Sequence, residues 1–85
     1  MREIEKIRQI ADFFLQGRIG EANSQWGRLV ADFKKLLLQM DADQKSRVTL
    51  LMKKILEQQS MEDWVGMADS LRYELVALLV EDFRD

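Results

Sequence analysis

Chemistry in this chain would have to come from carboxylates, lysines, hydroxyls and the single Tyr73, because its 85 residues include no His and no Cys. That removes the usual nucleophiles, neutral-pH bases and soft metal ligands. Dinuclear carboxylate sites in helical proteins need Glu on facing helices and inward Glu-x-x-His motifs. Without His no such motif can be completed. Asp12, Asp32 and Glu74 border apolar faces, where solvation or an ion pair between helices accounts for them. Asp69 differs, because it falls inside an apolar seam. There it suits pairing with a basic group, or setting register across a dimer. Gly17 and Gly20 belong to a turn between helices and precede no Gly-Lys-Ser/Thr, so they form no phosphate loop. Lys34, Lys35, Lys53 and Lys54 lack the aromatic or Gly-rich interleaving of a nucleic-acid surface. The expectation is a protein that is not an enzyme, with no catalytic, metal or cofactor residues and no affinity for nucleic acid.

The elements that hold these residues are helical. Length allows one domain, residues 1–85, with a core too small to supply stability without close helix packing or association. A hydrophobic fraction of 47% and a charged fraction of 33% suit a folded chain, and no Pro interrupts it. Lack of Cys rules out a disulfide framework and makes the reducing cytoplasm the natural compartment. The start of the chain mixes charge with apolar residues and lacks the apolar core of a signal segment. The longest apolar run, Leu75 to Val80, is far short of the roughly 20 residues that span a bilayer. Charge is unevenly spread: residues 18–54 carry eight basic and four acidic groups, whereas 57–85 carry two basic and eight acidic. Such a split favours attraction between the two parts, within one chain or between two. The basic neighbours expected for the acidic last third are Lys34, Lys35, Lys45 or Arg47.

Helical spacing predicts four helices. The first runs from about Glu3 to Gln16 on a stripe of Ile4, Ile7, Ala11, Phe14 and Leu15, ending at a Gly17 cap. A second, from about Glu21 to Met40, carries Ala22, Trp26, Leu29, Phe33, Leu36, Leu37 and Met40. Gly27 and Ala31 lie together on its outer side. The third starts after Asp41 or Asp43 and carries Val48, Leu51, Met52 and Ile55, with Lys53 and Lys54 near its C-terminal end. The fourth begins near Met61, behind a Ser60–Asp63 capping box, and continues to Phe83. At an offset of 42 residues the two halves echo each other: Leu29, Phe33, Leu36 and Leu37 align with Leu71, Leu75, Leu78 and Leu79. Chance alignment and duplication both lead to one architecture, an all-α four-helix up-and-down bundle built from two helical hairpins.

Projecting the fourth helix at about 100° per residue gives a core face of Trp64, Met67, Ala68, Leu71, Leu75, Leu78 and Leu79. A second apolar seam lies apart from it: Val65, Tyr73, Val76 and Val80, with Asp69 among them and Phe83 at the edge. Two arrangements would bury that seam. Helix 1 could cover it through Ile10 and Phe13, or it could meet a second copy of itself. The expected interface is therefore Val65, Asp69, Tyr73, Val76, Val80 and Phe83.

Asp63-Trp64-Val65-Gly66-Met67-Ala68-Asp69-Ser70-Leu71-Arg72-Tyr73-Glu74-Leu75 resembles a stretch found in small uncharacterised helical proteins of Gram-positive, spore-forming bacteria. That stretch reads Asp-aromatic-x-x-x-Ala-Asp-x-Leu-x-Tyr-Glu-Leu, and some of its proteins are encoded beside flagellar genes. The resemblance covers roughly the last quarter of the chain. It implies a bacterial origin, an all-α fold and an accessory role near flagellar assembly. Together with the seam, it leaves two expectations for function. One is a protein-interaction module that forms a homodimer through its last helix. The other is a small chaperone or adaptor for an amphipathic client helix.

Overall fold

A computed structural model describes residues 2–82 of the chain, and they form an all-α fold of four helices. Helix α1 spans Arg2–Leu15, α2 spans Ile19–Leu37 and α3 spans Ala42–Ser60. The chain leaves α1 through Gly17, whose φ of 80° is the left-handed conformation expected of a glycine cap. Arg18 N–H then reaches back to Phe13 O at 2.9 Å and Gly17 N–H to Phe14 O at 3.2 Å, closing the last turn. Asp41 caps α3: its carboxylate accepts the Gln44 amide at 2.8 Å, and the Gln44 side chain accepts from Asp41 N–H at 3.1 Å. The reciprocal pair satisfies two amides that no turn of helix can.

The turn after α3 departs from the expected capping box. Ser60 is still helical, so it closes α3 instead of capping the next helix. Glu62 takes the left-handed position with φ of 57°, and Asp63 N–H donates to Gln58 O at 2.9 Å. Asp63 itself is the cap, its carboxylate accepting from Gly66 N–H at 3.0 Å. Since α3 runs on to Ser60, Lys53 and Lys54 lie more than a turn inside it, away from the C-terminal dipole.

The fourth helix, α4, is one continuous run in three parts. Trp64–Asp69 is α-helical, Ser70–Leu75 is π-helical and Val76–Asp82 is α-helical again. Within the wide turn, Val76 N–H reaches Leu71 O, five residues back. A π turn holds one residue more than an α turn, and so disturbs the phase of a 3.6-residue projection where it ends. Val76, expected on the outer seam, is accordingly buried at 6% exposure, while Leu78 is only half-buried.

One core unites the helices. Ile7, Ile10, Ala11, Phe13 and Phe14 of α1 meet Ala22, Trp26, Leu29 and Phe33 of α2, Ile55 of α3, and Met67, Leu71, Leu75 and Leu79 of α4. Helix α1 packs against both α2 and α4, and α3 packs on α4. Two features of α1 differ from its predicted stripe. Ile10 and Phe13 are buried because α1 lies between two neighbours, and Leu15 is exposed because the helix ends there. Trp26 is buried, whereas Trp64 is only partly so and lies at the edge of the core. The Trp64 ring stacks on Phe14 with centroids 5.4 Å apart. Gly27 and Ala31 face solvent, and a methyl group at Gly27 would meet nothing within 4 Å.

Candidate interaction surface

The outer face of α4 carries three of the large apolar residues that the core does not take; Leu15, Leu38, Leu50, Leu56 and Met61 are exposed elsewhere. Val65 is 62% exposed, Tyr73 65% and Val80 45%, and Asp69 lies between the first two. Ile10 and Phe13 of α1 share the buried core with Val76, so helix 1 covers that part of the seam, while Val65, Tyr73 and Val80 stay exposed. Beyond the π turn, the stripe passes through Ala77 in place of Val76. Phe83 lies outside the described residues. Of the six expected interface positions, four are therefore on the surface, one is in the core and one is not described.

Ion pairs between helices flank the stripe. Lys54 Nζ of α3 donates to both carboxylate oxygens of Glu74, at 2.9 and 3.0 Å. On the other side, Arg72 pairs with Asp12 of α1. Further away, Lys6 approaches Asp32 at 3.8 Å, joining α1 to α2. All three carboxylates that border the apolar faces are thus held by cations from neighbouring helices. These pairs are substantially exposed, so each contributes little to stability but restricts how its helices slide. Asp69 has no ion-pair partner among the described residues.

A shallow cleft of about 370 Å³ separates α3 from α4 beside the stripe, with Lys54, Gln58, Asp69, Ser70, Tyr73 and Glu74 among its lining residues. Its floor is a hydrogen bond from Ser70 Oγ to Gln58 Oε1, at 2.8 Å. Ser70 is 3% exposed and would be costly to bury without that partner. Neither the bond nor the π turn around it follows from apolar spacing, which carries no information on buried hydroxyls. A second bond of this type, from Gln59 Nε2 to Asn23 Oδ1 at 2.8 Å, ties α3 to α2.

Among the described residues, no group of three or more acidic side chains is arranged to hold a metal ion, and no helix is long and apolar enough to cross a membrane. Comparison with protein-family models, curated proteins and solved structures finds no match to this chain.

Proposed function

We propose that this protein is a non-enzymatic interaction module of the bacterial cytoplasm. It forms a homodimer through the outer stripe of α4, on an up-and-down bundle made of two helical hairpins. The observation that carries this is the exposure of Tyr73 (65%) in line with Val65 and Val80 on one helix. Three large apolar side chains on the same outer face are a standing risk of aggregation unless something covers them. A two-fold contact covers each with its own copy and closes on itself. Asp69 then stands at the edge of the contact, within reach of cations from the partner. The bundle topology is supported by the bonds Lys54–Glu74 and Gln59–Asn23, which are those expected of antiparallel neighbours.

Tyr73→Glu tests the reading better than a change at Val76, which would disturb the core. Light scattering should give a dimer for the native chain and a monomer for the variant, with helicity by circular dichroism unchanged. A variant that remains dimeric, or a native chain monomeric at high micromolar concentration, would remove the stripe as a self-interface. The second outcome would favour the alternative, a chaperone or adaptor taking an amphipathic client helix. The open α3–α4 cleft beside the stripe is the feature that supports it.

A further inference from the structure

We propose that the surface which meets a second copy is two helices wide, α1 beside α4, with Leu15 of α1 as its apolar member outside α4. This deepens the homodimer reading and rests on it. Leu15 lies three residues beyond Asp12, which pairs with Arg72 of α4, and nine beyond Lys6, which pairs with Asp32 of α2. Three residues keep a side chain on the same flank of a helix, and nine bring it to the opposite one. Leu15 is therefore on the α4 side of α1, and it is 45% exposed. On α4, Val65 stands seven residues before Arg72, two turns along the same flank, and is exposed as well. Two bare apolar side chains thus flank one seam from its two sides.

Width decides the occupant. The molecule is 35 Å long, so a stripe one helix wide, about 10 Å, offers roughly 350 Å². Two helices side by side offer roughly 700 Å², close to the roughly 800 Å² that each partner gives to a standard interface. A client helix would cover one stripe and leave Leu15 or Tyr73 bare. It would also need a groove, and the Arg72–Asp12 pair bridges the seam where that groove would run. The two charges of that pair neutralise each other, so a copy can approach the seam without like-charge repulsion. A second copy brings an equal face and closes the contact across a two-fold axis.

Leu15→Lys is the test, with Leu56→Lys as its control. Leu56 is 53% exposed, but it lies two residues beyond Lys54, which pairs with α4, and so on the far side of α3. In a dilution series followed by analytical ultracentrifugation, Leu15→Lys should raise the dissociation constant at least about tenfold, because each dimer loses two copies of the residue. Leu56→Lys should leave it within about twofold, as surface changes outside a contact do. The chain has no Cys, so Leu15→Cys and Leu56→Cys each supply a unique thiol. Alkylation at position 15 should slow several-fold as concentration passes the dissociation constant, and at position 56 it should not change. Equal effects at the two positions, or a native constant for Leu15→Lys with no slowing at position 15, overturn the proposal. If Tyr73→Glu still gives monomers in that case, the homodimer stands with a contact confined to α4. A native chain that is monomeric at high micromolar concentration removes the homodimer itself, and this face with it.

Discussion

The carboxylate of Asp63 accepts the Gly66 amide at 3.0 Å, and a Cβ at position 66 would meet the Asp63 carboxyl carbon at 2.7 Å. Glycine is present here because of the cap, not because of backbone conformation. Asp63→Ala should cost about 1 kcal/mol, the usual loss of an N-cap. Gly66→Ala alone should bring no gain, since the new methyl displaces the carboxylate. In the Asp63→Ala background the same change should stabilise by up to about 1 kcal/mol, the helix preference of Ala over Gly. Thermal unfolding of the four chains measures it. Equal effects of Gly66→Ala in both backgrounds would show that the cap and the glycine are independent.

At the scale of the helix, the π turn in α4 is tied to α3 through Ser70. Ser70→Ala removes a buried donor and should cost about 1 kcal/mol, the net worth of such a bond. Denaturant midpoints read this directly, and an unchanged midpoint would mean that Gln58 finds an equivalent partner. Helix count, the Gly17 cap and most core residues were legible in the sequence, because amphipathic spacing and a left-handed glycine are local signals. The break near Ser60 was legible but the form of the turn was not: Glu62 occupies a left-handed site usually held by Gly or Asn, and the cap falls on Asp63. The fate of Val76 was hidden for a different reason. A projection at constant angle carries no knowledge of where a turn widens: it put Val76 outside and Leu78 inside, while Leu79 and Val80 lie where it placed them. Val65, Asp69 and Tyr73 precede or lie within the wide turn, and their surface positions agree with the constant-angle projection.

For the molecule as a whole, stability rests on one shared apolar core, with exposed ion pairs between helices adding little each. Any association that covers the α4 stripe adds to that by mass action. The melting temperature should therefore rise with protein concentration, and Tyr73→Glu should flatten that dependence. Scanning calorimetry over a hundredfold range of concentration is the check. A native chain whose melting point ignores concentration would indicate that no copy-to-copy contact contributes.

Phe14 and Trp64 stack at 5.4 Å with their planes 8° apart, although fifty positions of chain separate them. Joining such distant points costs loop-closure entropy, which must be met before the contact returns anything. Contacts across the short turns near Gly17 and Glu62 carry less of that cost and are expected to form first. The stack is therefore expected to form late in folding, so that its loss should be felt on the way out, not on the way in. Phe14→Leu or Trp64→Leu should speed unfolding several-fold in stopped-flow experiments and leave the refolding rate nearly unchanged. An equal slowing of refolding would place the two rings in the nucleus instead. On this account the lifetime of the native state, more than its rate of formation, is set where the first helix meets the last.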